Sequence, residues 1–323
     1  MRIVIPDDYQ HVVKTLDCFS TLANHQVTVF HDPQPASLDT LASRFADADA
    51  LVLTRERTRV DAALLDRLPN LKLISQTGKV SSHLDLQACT ERGVVVTEGR
   101  GSPVAPAELA WALILNARRQ LVPAIDAFRQ GQWQVNLGHA VAGQALGIWG
   151  YGKIGQRLAR YARAFDMPVL VWGSEASRAA AEADGHRAAA SKEAFFAEAD
   201  IITLNLRLAD STRHIVTFED LSRMKTDALL VNVSRAELIA PGALLQALDA
   251  GRPGFAAVDV YEQEPVLDPA HPLLQHPRVL CTPHLGYVEK NGYELYFGDA
   301  FVNVVAFFDG QPQQVANPQA LSR

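Results

Sequence analysis

Short, almost wholly apolar runs alternate with amphipathic stretches along nearly the entire chain, and this alternation constrains the fold more than any other feature. An early series of runs is RIVI at 2–5, VTVF at 27–30, ALVLT at 50–54, LKLIS at 71–75 and GVVVT at 93–97. A later series is ALGIWG at 145–150, PVLVWG at 168–173, DIITLNL at 200–206, DALLVNV at 227–233, GFAAVDVY at 254–261 and RVLCTP at 278–283. The later runs suit strands that are buried on both faces. Strands that alternate with helices predict a mainly parallel sheet and an α/β fold.

The length and the helical patterns indicate two units. At about 100–200 residues per domain, a chain of 323 residues suits two domains. The longest helical pattern spans 103–130, and we expect one break in it at Pro123. A last helical pattern, over 290–309, follows the later strands. We therefore expect two α/β units, with a boundary near residue 100. Near residue 285 we expect the chain to return from the second unit and to continue as a helix.

The composition excludes several functional classes. The chain has 30 Lys plus Arg and 36 Asp plus Glu, so its net charge is −6. A nucleic-acid-binding protein typically carries an excess of positive charge, which this chain does not have. The three cysteines are far apart and form no metal-binding pattern, so we expect a reduced, cytoplasmic setting and no metal. Residues 130–152 carry no formal charge, but polar residues interrupt them throughout. We expect no membrane span.

A glycine-rich segment follows the first strand of the later series. GYGKIG at 150–155 has the spacing Gly-x-Gly-x-x-Gly between a predicted strand and a predicted helix. Such glycines allow a tight turn, close approach of the backbone to a pyrophosphate, and close packing of helix on strand. The phosphates then meet free N–H groups at the positive end of the helix. A turn without a ligand is the alternative, which the strand–helix–strand context disfavours. The residues expected to bind a dinucleotide are Gly150, Tyr151, Gly152, Lys153, Ile154 and Gly155.

The residues after the next strand do not decide whether the cofactor is NAD or NADP. An acidic residue there favours the 2′-hydroxyl of NAD, whereas an arginine favours the 2′-phosphate of NADP. Ser174 can bond to either form, Glu175 repels a phosphate, and Arg178 attracts one. We favour NAD, and NADP stays open.

Three polar residues follow the ends of later strands, where open parallel sheets place their sites. Arg235 follows LLVNVS, Glu264 follows GFAAVDVYEQ, and His284 follows RVLCTP. Each alone is more typical of a surface ion pair or a structural histidine. Together they supply what reduction of a 2-keto acid requires. Arg235 can hold a carboxylate and polarise the adjacent carbonyl, His284 can donate the proton, and Glu264 can favour the protonated imidazole.

These motifs, in this order and spacing, resemble those of the D-isomer-specific 2-hydroxyacid dehydrogenase family, which includes phosphoglycerate dehydrogenase and the glyoxylate/hydroxypyruvate reductases. The motifs that carry the resemblance are GYGKIG, VNVSRAELI, AAVDVYEQEP and TPHLGY, within roughly 50–310. The resemblance implies two Rossmann-like or flavodoxin-like parallel-sheet domains with the active site in the cleft. A dinucleotide domain, 101–286, is then inserted into a substrate domain made of 1–100 and 287–323. The long helix after PAELAW resembles the family's dimerisation arm, which implies a homodimer.

The resemblance also implies roles for individual residues. Arg235 matches the substrate-binding arginine, Glu264 the acid that orients the histidine, and His284 the acid/base. Asp259 matches the aspartate near the nicotinamide carboxamide, and Val233 falls among the cofactor-binding positions. ISQTGKVSSHLDL resembles the loop whose backbone amides hold the substrate carboxylate. That loop places Gly78, Lys79 and Val80 beside the substrate.

The chain departs from the family pattern at three points. Ala236 replaces the usual glycine after the catalytic arginine, and Gly173 replaces the usual ribose-binding aspartate. Val80 replaces the second glycine of the substrate loop, and Lys79 precedes it. We hypothesise that Lys79 adds a positive charge for an anionic substrate; a solvent-facing lysine is the alternative.

Two other functions fit the same motifs. A dinucleotide-sensing binding protein, as in the corepressor branch of the family, could use this fold to change its partners. A dehydrogenase acting on formate or phosphite is the other alternative. The intact set of Arg235, Glu264 and His284 favours an oxidoreductase acting on a small 2-keto or 2-hydroxy acid, with D-stereochemistry and NAD as cofactor.

Overall fold

The computed structural model describes residues 1–33 and 36–322, and within it the chain divides into two compact units. Unit 1 comprises Met1–Ser102 and Glu289–Arg323, and unit 2 comprises Pro103–Val288. Gln34, Pro35 and Arg323, which fall in the predicted substrate domain, lie outside the described residues.

Unit 1 contains a parallel sheet whose strands are short, apolar and mostly buried. In the described part of the unit, the sheet has five strands in the order β2-β1-β3-β4-β5. The strands are β1 (Arg2–Ile5), β2 (Gln26–Val29), β3 (Ala50–Leu53), β4 (Leu73–Gln76) and β5 (Val95–Glu98). The strand order reverses beside β1, because β2 lies on one side of it and β3 on the other.

Helices cover this sheet. Those of the N-terminal part are α1 (Leu38–Phe45), α2 (Ala62–Leu65) and α3 (Leu86–Glu91), and the C-terminal return is α12 (Lys290–Phe308). Helix α12 packs on β4, where the Ser75 hydroxyl donates to the Ala300 carbonyl at 2.9 Å. Phe297 and Phe301 of α12 are fully buried, as the apolar pattern of the last helix predicts. This return completes the core of unit 1.

Unit 2 contains a second parallel sheet. Over the described residues, its strand order is β12-β11-β10-β9-β6-β7-β8. The strands are β6 (Leu146–Trp149), β7 (Val169–Trp172), β8 (Arg187–Ala188), β9 (Ile201–Leu204), β10 (Leu229–Asn232), β11 (Phe255–Val258) and β12 (Val279–Cys281). Each predicted run of the later series contains one of these strands. The short edge strand β8 was not predicted, because two residues carry no detectable alternation.

The helices of unit 2 bury both faces of that sheet in two apolar clusters. They are α4 (Val104–Arg119), α5 (Leu121–Arg129), α6 (Lys153–Ala164), α7 (Glu175–Ala183), α8 (Lys192–Glu198), α9 (Phe218–Ser222), α10 (Ala243–Asp249) and α11 (Pro272–Gln275). Burial on both faces explains why the later runs lack alternation. The two parallel sheets confirm the predicted α/β class.

The expected break of the long helical pattern at Pro123 is wrong. The helix is interrupted instead at Gln120, whose backbone is left-handed with φ of +51° and which separates α4 from α5. Pro123 lies in the first turn of α5, where a missing N–H costs no helical hydrogen bond. Among the described residues, no helix is long and apolar enough to cross a bilayer.

Candidate active site

The glycine turn after β6 forms a tight connection into α6. Gly150 has φ of +101°, and a Cβ at this position would lie 2.8 Å from the carbonyl oxygen of Asn205. A Cβ on Gly155 would lie 2.3 Å from the carbonyl oxygen of Gly150. Side chains at these two positions would therefore collide with backbone, so both glycines are required for the local packing.

Gly152 differs from its two neighbours in the motif. It is the residue that caps the N-terminus of α6, and a Cβ built on it meets no atom within 4 Å. Open space over a backbone at a helix N-terminus is the cradle that a pyrophosphate requires. Lys153, the first residue of α6, adds a positive charge there. The residues present fit a dinucleotide.

The other two residues of the motif point their side chains elsewhere. The Tyr151 hydroxyl donates to Asp184 Oδ2 at 2.8 Å, and burial together with this carboxylate raises the pKa of Tyr151 to about 12. Ile154 packs against an apolar cluster of unit 2. Contributions of Tyr151 and Ile154 to cofactor binding would come from their backbone.

The residues after β7, which were expected to contact the ribose, are held by local contacts. Ser174 caps α7 by accepting a hydrogen bond from the Ser177 N–H at 3.2 Å. The Arg178 guanidinium lies 4.8 Å from the centre of the Trp172 ring, in a cation–π contact. Glu175 occupies the exposed first turn of α7. Ser174 and Glu175 thus lie directly after β7, while Arg178 packs back on the strand.

His284 and Glu264 are hydrogen-bonded to each other through the histidine Nδ1 and the glutamate Oε2. The second oxygen of Glu264 accepts from the Tyr261 N–H at 2.9 Å, which fixes the carboxylate. The His284 backbone has φ of +52°, a left-handed conformation that is uncommon outside glycine and is concentrated at functional positions. Because Nδ1 faces Glu264, Nε2 is the ring nitrogen that can exchange a proton with a substrate.

Asp259 holds the loop that carries His284. Its Oδ1 accepts from the Thr282 hydroxyl at 2.6 Å and from the Leu285 N–H at 2.7 Å, and its Oδ2 accepts from the Gly286 N–H at 2.8 Å. Burial raises the pKa of this carboxyl above its ordinary value, and the hydrogen bonds oppose that effect. The sequence analysis assigned a role to Asp259 but none to Thr282, although Thr282 begins the motif TPHLGY, because only the folded chain brings its hydroxyl to the aspartate.

Arg235 follows β10 at the carboxyl edge of the same sheet. The carbonyl of Arg235 accepts from the Asn232 side chain at 2.9 Å, and its guanidinium donates to the Ser234 carbonyl at 2.7 Å. Val233, which precedes this turn, is buried. Arg235, Asp259 and His284 therefore follow β10, β11 and β12, which are adjacent strands.

The predicted substrate loop lies in unit 1, after β4. Gly78 has φ of +89°, and Lys79 forms an ion pair with Glu98 at 2.5 Å. The Val80 N–H donates to the other oxygen of Glu98 at 3.2 Å. Glu98 therefore offsets the charge of Lys79 and fixes the loop. Glu98 was not among the expected residues, because nothing in its local sequence indicates this pairing.

Comparison with known proteins identifies a family. Residues 111–286 match the model of the D-isomer specific 2-hydroxyacid dehydrogenase NAD binding domain. A glyoxylate reductase of Aeropyrum pernix is 34% identical over 308 residues, which cover 92% of this chain and 91% of that protein.

Solved structures are similar over nearly the whole chain. A phosphoglycerate oxidoreductase of Vibrio cholerae o395 is 55% identical with a TM-score of 0.93, covering 96% of this chain and 99% of that one. A glyoxylate reductase of Paecilomyes thermophila is 28% identical with a TM-score of 0.74, covering 99% of each. The resemblance expected from the motifs is confirmed, with hydride transfer between NAD(H) and a small 2-keto or 2-hydroxy acid as the activity. The chain belongs to the D-isomer-specific 2-hydroxyacid dehydrogenase family.

Proposed function

We propose that His284, Glu264 and Arg235 carry out this reaction at the carboxyl edge of the unit 2 sheet. His284 donates a proton from Nε2 to the oxygen of the substrate carbonyl, and in the oxidative direction the neutral imidazole removes it. Glu264 orients the ring and favours its protonated form. Arg235 binds the substrate carboxylate and polarises the neighbouring carbonyl.

The observation that carries this proposal is the bond between His284 Nδ1 and Glu264 Oε2. A carboxylate on one ring nitrogen orients the imidazole and leaves the other nitrogen to the substrate. Asp259 supports the arrangement as a positioning residue, since it binds the loop on both sides of His284.

Unit 2 would hold NAD(H) at the glycine turn, with Gly152 under the pyrophosphate and Lys153 beside it. When bound, NAD(H) supplies or accepts the hydride. Val233 and Asp259 are proposed to lie near the nicotinamide. We favour NAD over NADP, because Glu175 follows β7 on the exposed first turn of α7 while Arg178 packs on Trp172. Glu175→Gln should then raise kcat/KM for NADPH relative to NADH.

Unit 1 is proposed to supply the substrate loop, Gly78, Lys79 and Val80. Since Glu98 engages both Lys79 and the Val80 amide, we assign Lys79 a part in holding the loop. Lys79→Met should raise the KM for the 2-keto acid. An unchanged KM would remove Lys79 from substrate binding.

The test of this function is oxidation of NADH and NADPH by the purified protein with glyoxylate, hydroxypyruvate, pyruvate and larger 2-keto acids. We expect turnover of at least one acid. Arg235→Ala should raise KM and lower kcat together, because one guanidinium serves both binding and carbonyl polarisation. Dinucleotide binding without turnover of any acid would favour the sensing alternative.

We also propose a homodimer formed through the segment around α5. This segment, 121–137, exposes seven large apolar side chains, of which Leu137 at 89%, Trp133 at 73% and Phe128 at 63% are the most exposed. The Phe128 and Trp133 rings contact each other edge to face, 5.7 Å apart. Large apolar side chains exposed close together in one short segment are typical of a protein interface.

Light scattering on the purified protein tests the dimer. We expect a mass of twice 35.2 kDa for the wild type and 35.2 kDa for Trp133→Ser/Leu137→Ser. Leu267→Ser, at an exposed apolar position outside the segment, is the matched control and should stay dimeric. A monomeric wild type would contradict the proposal.

A further inference from the structure

Tyr261 contacts both segments that carry the hydrogen-bonded pair of His284 and Glu264. It follows β11, three residues before Glu264 along the chain, and it is buried in an apolar cluster of unit 2. The rings of Tyr261 and His271 contact each other edge to face, with their centres 5.7 Å apart. A large ring enclosed in this way has a fixed position, so its hydroxyl is a hydrogen-bond donor with a fixed direction.

The backbone of Tyr261 holds Glu264. Its N–H donates to Glu264 Oε1 at 2.9 Å, and the other carboxylate oxygen, Oε2, is bonded to Nδ1 of His284. A carboxylate held at both oxygens cannot rotate freely, so the direction from which it meets the imidazole is set. The first of these contacts uses the main chain and therefore does not need the tyrosine hydroxyl.

The hydroxyl of Tyr261 reaches the turn that leads to His284. It donates to the Thr282 carbonyl at 3.0 Å, and the same carbonyl accepts from the His284 N–H at 3.1 Å. The second of these bonds closes a three-residue turn that ends at His284, whose backbone is left-handed. Because the tyrosine binds the carbonyl at the start of this turn, it restrains the peptide that sets the position of His284.

Asp259 holds other parts of the same turn. Its carboxylate accepts from the Thr282 hydroxyl and from the N–H groups of Leu285 and Gly286. An ionised carboxylate only accepts hydrogen bonds, so it cannot hold the Thr282 carbonyl. Tyr261 supplies the donor that this carbonyl requires, and the two residues therefore restrain the turn in different ways.

The Tyr261 hydroxyl remains a donor at neutral pH. Burial raises the pKa of Tyr261 above its ordinary value, and the neighbouring Cys281, Asp259 and Glu264 raise it further. Since an ordinary tyrosine titrates near a pKa of about 10, this phenol keeps its proton throughout the neutral range. The bond to the Thr282 carbonyl is thus present whichever direction the reaction takes.

We infer that Tyr261 is a positioning residue for the acid/base, because its hydroxyl holds the turn that presents the His284 ring and its N–H holds Glu264 in the matching orientation. This inference rests on the proposed function, since it concerns the pair to which we assigned proton transfer. The sequence analysis gave Tyr261 no role, although it lies within the motif AAVDVYEQEP. A looser turn should slow proton transfer rather than weaken binding of the acid.

Tyr261→Phe tests the inference, because it removes the hydroxyl while the ring and the backbone N–H remain. For a 2-keto acid that the wild type reduces, we expect kcat per NADH-binding site to fall about 3- to 10-fold, as loss of one neutral hydrogen bond implies. The KM for the acid should change by less than about 2-fold, since the lost contact acts on the chemical step. Counting only sites that bind NADH removes any loss caused by unfolded protein.

A second measurement follows the imidazole itself. With Glu264 on Nδ1, the neutral His284 ring carries its proton on that nitrogen. Long-range ¹H–¹⁵N correlation spectra of the histidine side chains at alkaline pH report which ring nitrogen is protonated, and His284→Asn assigns the signal. Tyr261→Phe should increase the share of the form protonated on Nε2. A role confined to global stability would leave this share unchanged in the folded protein.

Tyr161→Phe is the matched control. Tyr161 is a half-buried tyrosine of α6 in the same unit, and its ring contacts Trp111 edge to face at 5.8 Å. Removal of its hydroxyl should change neither kcat nor the protonation of the His284 ring. Thermal unfolding of the wild type and both variants establishes that each is folded under the assay conditions.

The possible outcomes separate the two proposals. If Tyr261→Phe has the kcat of the wild type, or if its His284 ring is protonated as in the wild type, the role of Tyr261 is overturned and the proposed function stands. If the folded, NADH-binding wild type reduces none of the acids, or if His284→Asn keeps the kcat of the wild type, the proposed function fails and the inference fails with it.

Discussion

The two parallel sheets place polar side chains at the same kind of edge but hold them differently. In unit 2, His284, Glu264 and Asp259 are tied together by hydrogen bonds among residues that follow neighbouring strands. In unit 1, Arg57 is held by Tyr9 from one loop and by Tyr293 from the C-terminal helix. The proposed catalytic residues of unit 2 are thus fixed by contacts at one sheet edge, whereas Arg57 of unit 1 is fixed by a loop and a helix that are distant in sequence.

The largest effect that this contrast predicts is at His284. His284→Asn removes the acid/base, so kcat should fall by about 10²–10⁴-fold, the usual contribution of such a group. The dissociation constant for NADH should stay close to the wild-type value. Steady-state kinetics and fluorescence titration of NADH check both. An equal loss of NADH binding would show that the residue supports the fold of the site.

Substitutions in the glycine turn should have smaller effects, and they should separate the stability of the protein from its binding of NADH. Gly155→Ala forces a Cβ against the Gly150 carbonyl, so it should destabilise the protein by about 1–3 kcal/mol, as overpacking does. Gly152→Ala meets open space and should leave the melting temperature unchanged. It should instead weaken NADH binding by about 10-fold, or about 1.4 kcal/mol. The opposite pattern would place the pyrophosphate elsewhere.

The smallest effects concern two carboxyl groups of unit 1 with opposite pKa shifts. Burial raises the pKa of Asp7. The folded protein therefore binds more protons at this group than the unfolded chain, so the folded state loses stability as the pH rises above about 4. The hydrogen bond from Arg100 lowers the pKa of Asp299, so its stabilisation is present above about 4 and lost as pH falls.

Denaturant unfolding at several pH values measures both effects. Relative to wild type, Asp7→Asn should gain stability as the pH rises through this range. Asp299→Asn should be less stable above about pH 4, with the difference closing in acid. Parallel pH dependences of all three proteins would contradict the contrast between the two carboxyl groups.

Much of unit 2 could be predicted from the sequence because its signals are local. The glycine motif is contiguous, and the strands that precede Glu264 and His284 are recognisable as apolar runs. The role of Asp259 as a support for residues 282–286 was not predictable, because it depends on how a loop folds back over a strand end.

Unit 1 was less predictable for the same reason. The strand before Arg55 and Arg57 was predicted from the run ALVLT, but the local sequence does not indicate what these arginines contact. Tyr293 lies 236 residues away from Arg57 in sequence, so only the return of the C-terminal helix brings them together. In unit 2, the break between two helices at Gln120 was also missed, since a left-handed glutamine has no sequence signature comparable to proline.

The three hydrogen bonds that Asp259 accepts have a consequence for turnover. They make the backbone around the imidazole a continuation of the β11–β12 pair, so the ring does not have to be recruited from a mobile loop in each cycle. The cost of positioning the proposed proton donor is therefore met once, when the polypeptide folds. We expect each encounter with substrate to begin with this group already in place.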